Sequence, residues 1–178
     1  MVIAGKTIRL RALEKADLPL KVKWINDPEV HKYLHYEIPL GWSKTENWFD
    51  NTLKDDSRRD LIIETDEGKP IGVTGLIGIT PVHRTAEYYL AIGEKKYRGR
   101  GLGTYTLRLL AEWAFNTLDL HKIWGTSRIQ NKASIAMMKK VGFKTEAILR
   151  EEKYIAKRRE CLMRMGLLRR EYRPGKAV

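Results

Sequence analysis

The chain has 178 residues and a formal net charge of +12, with 34 Lys and Arg against 22 Asp and Glu. This length suits a single folded domain, so we treat residues 1–178 as one domain. A hydrophobic content of 43% argues against disorder, and the single cysteine excludes an internal disulfide or a cysteine-rich metal site. No apolar run approaches membrane-spanning length and no metal-ligand spacing occurs, so we expect a soluble cytoplasmic protein without a membrane partner or a bound metal.

Much of the excess positive charge lies in the C-terminal part of the chain, from Arg150 onwards. Basic proteins often bind nucleic acids or ribosomes through phosphate contacts. Neither interleaved aromatic residues nor a helix-turn-helix pattern accompanies this charge, so direct nucleic-acid binding is disfavoured. Attraction for a small polyanionic ligand explains part of the charge more simply.

Hydrophobic periodicity and turn residues divide the chain into alternating elements. The first half is predicted to contain a strand over residues 6–12, a helix between Asp17 and Asn26, a helix after Ser43, a hairpin of strands 61–64 and 71–77, and a strand over 86–92. The second half is predicted to contain a helix over residues 102–118, a strand over 121–129, a helix over 131–140 ending at Gly142, and β-rich segments over 145–156 and 160–168. This order indicates an α+β fold rather than a doubly wound one.

The segment Tyr-Arg-Gly-Arg-Gly-Leu-Gly-Thr at residues 97–104 joins a predicted strand to a predicted helix. Its three glycines let backbone N–H groups approach a ligand closely, and the helix N-terminus and two arginines add positive charge. The pattern predicts a pyrophosphate site, with a plain tight turn as the alternative. The P-loop spacing is absent, and the dinucleotide fingerprint would need a glycine where Thr104 stands.

The spacing Arg98-x-x-Gly101-x-Gly103 resembles the acetyl-CoA loop of the GNAT superfamily of N-acetyltransferases. Residues 131–143 are similar to the Asn-x-x-Ser…Gly-Phe segment of that superfamily, and residues 24–30 resemble the first-helix signature of its RimJ/RimL-like branch, the ribosomal-protein acetyltransferases. The three blocks occur in the family order and cover about residues 5–170. The resemblance implies a mixed, mostly antiparallel sheet of seven strands with helices on both faces.

The same resemblance implies acetyl-CoA as the donor of the acetyl group. Main-chain groups of Leu90 to Ile92 would pair with the pantetheine arm, and residues 98–104 would bind the pyrophosphate. In GNAT folds the strand that corresponds to residues 86–92 separates from the next one, which exposes a backbone N–H to the thioester oxygen. The expected cofactor-binding residues are Leu90, Ala91, Ile92, Arg98, Gly99, Arg100, Gly101, Leu102, Gly103, Thr104, Asn131, Ser134 and Met137.

Acetyl transfer to an amine requires an acid for the departing thiolate and a route for the amine proton. Many GNAT enzymes use a tyrosine as the acid, but Met138 occupies that position here, and Ser134 matches a serine proposed as its substitute in the RimJ/RimL-like branch. The alternative is that Ser134 only bonds the helix backbone. Glu87 is expected to accept the amine proton directly or through water, and a surface ion pair, for instance with Arg84, is its alternative.

The segment after the first helix borders the acceptor site in relatives. The expected substrate-binding residues are Trp24, Asn26, His31 and Tyr36, each with packing in the core or in a loop as the alternative. The block over residues 24–30 favours the N-terminal amine of a protein, such as a ribosomal protein, as the acceptor. Similar enzymes also acetylate polyamines, amino sugars, aminoglycosides and free amino acids, although the charge of +12 disfavours a polycationic acceptor.

Loss of the usual tyrosine at Met138 leaves a non-enzymatic alternative, a CoA-binding regulatory or ribosome-associated module. The lone Cys161 falls in a late predicted strand and is a poor nucleophile candidate, so we expect direct attack without an acetyl-enzyme. Dimers are frequent in the family, which makes a homodimer one expected assembly.

Overall fold

A computed structural model describes residues 2–5, 7–34, 38–155 and 157–174. This part of the chain contains eight strands and five helices. The strands are β1 (Val2–Ala4), β2 (Ile8–Ala12), β3 (Arg59–Thr65), β4 (Pro70–Thr80), β5 (Thr85–Ile92), β6 (Lys122–Arg128), β7 (Lys144–Ile155) and β8 (Arg158–Leu168). The helices are α1 (Leu18–Asn26), α2 (Pro28–His31), α3 (Trp42–Thr52), α4 (Leu102–Asn116) and α5 (Lys132–Val141).

The strands form one sheet in the order β1-β2-β3-β4-β5-β6-β8-β7. All neighbouring strands are antiparallel except β5 and β6, which are parallel. The predicted α+β class and the mostly antiparallel sheet are therefore confirmed. The predicted strand count was wrong by one, because Val2–Ala4 adds an edge strand to β2 and a segment of three residues is too short to show an alternating pattern.

Helices cover both faces of the sheet, as the resemblance implied. The larger core lies under α4 and α5 and includes Leu110, Phe115 and Ile123. A smaller core on the opposite face joins α1, α2 and α3 to the middle strands through residues such as Trp24 and Phe49. Because side chains alternate along a strand, β5 contributes to both cores and carries one row of residues on each face.

The sheet opens between β5 and β6. Pairing joins residues 85–87 of β5 to residues 122–124 of β6, and beyond that point β5 pairs with β4 alone. The expected separation of these two strands is thus present. It exposes one backbone edge of residues 88–92 beside the loop that leads into α4.

The helix boundaries lie close to the predicted ones. The helix predicted over 102–118 is α4, which ends at Asn116, and Gly142 follows α5 in the left-handed conformation, with φ of 108°, as a C-cap glycine should. Within the described residues, no helix combines the length and the hydrophobicity needed to span a bilayer.

Candidate active site

Two glycines give the loop before α4 its shape. Gly99 has a φ of 74° and Gly101 a φ of 79°, a left-handed conformation that costs other residues about 1–2 kcal/mol. A Cβ atom at either position would meet no protein atom within 4 Å. Glycine is therefore needed for the backbone conformation, while the space beside the loop stays open for a ligand.

The N-terminus of α4 is an anion-binding site made of backbone groups. No side chain among the described residues caps this helix, and its N-cap is Gly101. Tyr105 N–H bonds the Gly101 carbonyl at 3.1 Å, so the N–H groups of Leu102, Gly103 and Thr104 precede the first turn and have no acceptor within the helix. These N–H groups and the positive end of a 15-residue helix suit a phosphate.

A cavity of about 470 Å³ lies beside this helix N-terminus, between the β5 edge and α5. It brings together eleven of the predicted cofactor-binding residues: Leu90, Ala91, Ile92, Arg98, Gly99, Gly101, Gly103, Thr104, Asn131, Ser134 and Met137. Arg100 and Leu102 instead line an adjacent cavity of about 490 Å³, together with Arg108 and Lys140. The two cavities share Gly101, Thr104 and Lys140, so the predicted residues surround one continuous region of the surface.

Arg98 lines the cavity and also holds the loop in place. Its Nε donates to the Ile92 carbonyl at 3.0 Å, and its Nη2 donates to the Gly93 carbonyl at 2.5 Å and to Asp27 at 3.2 Å. These contacts give the guanidinium a structural use, and its role in binding the cofactor stays a prediction. Tertiary structure alone brings Asp27 and the end of β5 to this arginine, so the sequence could not reveal the arrangement.

Ser134 lies in the first turn of α5 and lines the cavity. The Asn131 side chain caps the helix by accepting a hydrogen bond from Ser134 N–H at 3.1 Å, which fixes the position of the serine. Met138 is fully buried in the larger core, so it supplies no polar group to the cavity. Gly103 allows the two helices to approach, because a Cβ there would lie 3.1 Å from Met137 Sδ.

Glu87 lies on the opposite face of β5 from the larger core, near the point where β5 and β6 part. It is half-buried, and Thr126 Oγ1 donates a hydrogen bond to its carboxylate at 3.4 Å. Burial raises the pKa of the Glu87 carboxyl above its ordinary value, while the Thr126 hydrogen bond and the charges of Arg164 and Lys153 oppose the shift. A carboxylate with a raised pKa is a better proton acceptor at neutral pH.

The face of the sheet around Glu87 carries a row of polar side chains that the sequence did not predict. Thr126 of β6 pairs in register with Arg164 of β8, and alternate residues of a strand share a face, so Trp124 lies on the same side. The Arg164 guanidinium stacks on Trp124, with 3.8 Å between its carbon and the ring centroid. Cross-strand register decides this grouping, and residues almost 80 positions apart give no local signal of it.

Two of the predicted acceptor residues, Trp24 and Asn26, form hydrogen bonds to other parts of the protein. Trp24 is only 2% exposed, packs against Gly93, and donates its indole N–H to Glu94 at 2.9 Å. The Asn26 side chain donates to the Leu40 carbonyl at 3.0 Å and accepts from Leu40 N–H at 2.7 Å. Because these polar groups are already bonded, the expectation that both residues contact the substrate is corrected.

Of the other two predicted acceptor residues, His31 and Tyr36, the structure describes only His31. His31 ends α2, is half-buried, and does not line the cavity beside α4; its Nδ1 is buried without a hydrogen-bond partner among the described residues. Tyr36 lies outside the described residues. Tyr33 and Leu34, which follow α2, do line that cavity, and Arg128 ties the same turn to β8 by bonding the Lys32 carbonyl and Glu160.

Other chemistry finds little support in the described part of the chain. Cys161 is half-buried in β8, and its Sγ accepts a hydrogen bond from Glu151 N–H at 3.4 Å. The described residues include no cluster of three or more His, Cys, Asp or Glu side chains that could bind a metal.

Comparison with known proteins agrees with this geometry. Residues 7–144 match the acetyltransferase (GNAT) domain. The chain belongs to the GNAT family. It is an N-acetyltransferase that uses acetyl-CoA, and the helix N-terminus with free N–H groups and the cavity beside it suit that donor.

Several similar proteins cover nearly the whole chain. The spermidine N(1)-acetyltransferase of Escherichia coli (strain K12) is 29% identical over 169 residues, which is 95% of this chain and 90% of that protein. The spermidine N(1)-acetyltransferase of Vibrio cholerae is 27% identical over 165 residues, which is 93% of this chain and 95% of that protein. A crystal structure of the Vibrio cholerae spermidine N-acetyltransferase in complex with CoA and spermine superimposes with a TM-score of 0.87 at 28% identity, covering 93% of this chain and 97% of that one.

Proposed function

We propose that this N-acetyltransferase acts on a small-molecule primary amine, by direct attack on acetyl-CoA in a ternary complex. The observation that carries the proposal is the single open region formed by the N-terminus of α4, the exposed edge of β5 and Ser134. Backbone N–H groups at 102–104 hold the pyrophosphate, and the edge of β5 pairs with the pantetheine arm.

Glu87 and Ser134 manage the protons in this proposal. An ammonium cannot attack, so Glu87 accepts a proton from it, directly or through a water, and the nitrogen lone pair forms the new bond to the acetyl carbon. The nitrogen loses its second proton to solvent as the tetrahedral intermediate collapses to the amide. A backbone N–H on the exposed β5 edge stabilises the oxyanion. When the C–S bond breaks, Ser134 donates a proton to the departing thiolate, and solvent restores the serine proton. No covalent acetyl-enzyme is required.

The acceptor class rests on the relatives and on the first helix. The two curated relatives described above are spermidine acetyltransferases, which favours a small amine over the protein N-terminus predicted first. The block over 24–30 carried that first prediction, and its Trp24 and Asn26 are used for packing and for holding Leu40. A block with a structural use says little about the acceptor, so we do not place the chain in the RimJ/RimL-like branch.

An acceptor panel tests the proposal. Purified full-length protein with saturating acetyl-CoA is offered spermidine, an amino sugar, an aminoglycoside, simple amines and peptides with free N-termini, and release of free thiol is measured. Turnover with small amines and none with peptides is expected. Turnover confined to peptides, or binding of acetyl-CoA with no turnover on any amine, would contradict the proposal.

A further inference from the structure

The charges beside Glu87 do not suit an acceptor with several positive charges. Glu146 is paired with Lys122 at 2.5 Å, and Glu160 is paired with Arg128 at 2.7 Å. Asp60, which accepts a hydrogen bond from Tyr89 on the same face of β5, is paired with Arg58 at 2.7 Å. Glu87, in contrast, has no ion pair within 4 Å among the described residues. One carboxylate can hold one ammonium, so a second ammonium of a polyamine would lack a partner here.

Arg164 is the cation best placed to meet a ligand on this face. Its side chain is 36% exposed and stacks on Trp124, which holds the planar guanidinium in a defined orientation. Its Nε lies 3.7 Å from a carboxylate oxygen of Glu146, so the two side chains form an ion pair without a hydrogen bond. Among the described residues, it donates no hydrogen bond within 3.5 Å.

Other arginines near this region differ from Arg164 because they already donate hydrogen bonds, although the buried Nε of Arg128 has no partner among the described residues. Arg128 bonds the Lys32 carbonyl and Glu160, and Arg98 bonds two carbonyls and Asp27. Lys153 of β7 pairs in register with Glu160 of β8, is exposed, and adds a second positive charge near Glu87. The face thus combines one carboxylate for an ammonium with a stacked guanidinium that has free donors.

We propose that the acceptor carries an anionic group, a carboxylate or a phosphate, in addition to its amine, and that Arg164 binds this group while Glu87 faces the amine. The inference rests on the proposed function and deepens it by naming the acceptor class. A guanidinium matches the two oxygens of a carboxylate or phosphate with parallel N–H donors, so the recognition would be directional as well as electrostatic. Arg164 is then a specificity-determining residue rather than a catalytic one.

Two matched series of amines test the inference, each differing only in the group opposite the reacting amine. The short series is 2-aminoethyl phosphate, ethanolamine and ethylenediamine, and the long series is 6-aminohexanoate, hexylamine and 1,6-diaminohexane. The two anionic members distinguish phosphate from carboxylate. In at least one series, we expect kcat/KM to be about tenfold or more higher for the anionic amine than for the diamine, as charge-assisted hydrogen bonds predict.

Substitution of Arg164 identifies the residue responsible. Arg164→Gln should raise KM for the anionic amine by about tenfold or more. KM for ethanolamine or hexylamine, which carry no second charged group, should change by less than about twofold. Arg164→Lys should restore part of the loss, because it keeps the charge and loses the fork of donors, and Arg164→Glu should reverse the preference towards the diamine. Arg159→Gln removes the same charge from the opposite face of β8 and is the matched control. It should leave the ratio of kcat/KM between the anionic amine and the diamine unchanged.

The outcomes separate this inference from the proposed function. Preferred turnover of diamines or spermidine, with ratios unchanged in Arg164→Gln, would overturn the inference and leave the small-amine function standing. No turnover of any amine in either series or in the wider panel, with acetyl-CoA bound, would contradict both. An anionic preference that persists in Arg164→Gln would overturn the assignment of Arg164.

Discussion

The donor half and the acceptor half of the site are built from different parts of the polypeptide. The donor half consists mainly of backbone groups, the N–H groups that begin α4 and the unpaired edge of β5. The proposed acceptor half consists of side chains from separate strands, with Glu87, Thr126 and Arg164 side by side through strand register. A backbone site tolerates sequence change around its glycines, whereas a side-chain site changes its ligand whenever one of its residues changes.

The two halves depend on different features of the chain. The donor half depends on a few glycines and on the position of a helix N-terminus. The acceptor half depends on the charge and orientation of individual side chains. The family therefore establishes acetyl-CoA as the donor, while this chain's own residues decide which amine is accepted.

The largest effect on activity is expected from substitution of Ser134, which lies where the donor half meets the proposed acceptor half. Ser134→Ala should lower kcat by about 100-fold, the lower end of general acid–base contributions, with little change in acetyl-CoA affinity. Steady-state kinetics and acetyl-CoA titration measure the two quantities separately. Ser134→Cys retains a group that can donate a proton and should recover part of the rate. An unchanged kcat in Ser134→Ala would remove the serine from the mechanism.

A somewhat smaller effect, on acetyl-CoA affinity alone, is expected from substitution of Gly101 in the donor half. Gly101→Val places a branched side chain at a φ of 79° and in the open space beside the loop, and the strain of about 1–3 kcal/mol should weaken acetyl-CoA binding by about 30-fold. Isothermal titration with acetyl-CoA measures the change.

Gly41 offers a matched control for that substitution. It is also the N-cap of a helix with open space around it, but its φ is −82°. Gly41→Val should therefore leave acetyl-CoA affinity within about twofold, because a β-branched residue adopts this φ without strain. Equal losses in the two variants would mean that the left-handed loop is not the source of donor affinity.

The smallest effect is expected from Glu87→Gln, which should alter the pH dependence of kcat/KM without altering acetyl-CoA binding. Burial raises the pKa of Glu87, so kcat/KM for the amine should fall as pH drops through that pKa and the carboxylate becomes protonated. Glu87→Gln should lose this acid limb and about tenfold of the rate at neutral pH, with acetyl-CoA affinity unchanged. The exposed Glu112 on α4 provides the control, since Glu112→Gln should keep the limb.

The same profile also links Glu87 to its neighbour. The positive charge of Arg164 lowers the Glu87 pKa, so its removal in Arg164→Gln should move the acid limb to higher pH. A limb that persists in Glu87→Gln would show that another group titrates.

Local patterns predicted much of the fold and of the donor half. Alternating and helical periodicities placed most strands and helices, and the glycines at 99, 101 and 103 with the capping Asn131 identified the cavity that the structure contains. The short strand β1 was missed because three residues carry no period. The bonds of Arg98 to Ile92 and Asp27 were not predicted, because they depend on contacts distant in the chain.

Local sequence patterns did not predict the residues of the proposed acceptor half. Trp24 and Asn26 resembled site residues by their block, but burial of the indole and the two bonds to Leu40 give them structural uses. Arg164 and Trp124 carry no motif, and each is an ordinary member of a strand when considered alone. Their stacking follows from the register of β6 and β8, which pairs Thr126 with Arg164 and places Trp124 on the same face.

The sequence by itself determined the acetyl donor, because a left-handed glycine turn at the start of a helix is a local structure that a few adjacent residues specify. Only the tertiary structure decided which charges surround Glu87, the proposed proton acceptor. Those charges come from strands far apart in the chain, and their register, which no short segment encodes, sets Arg164 beside Thr126 and Glu87.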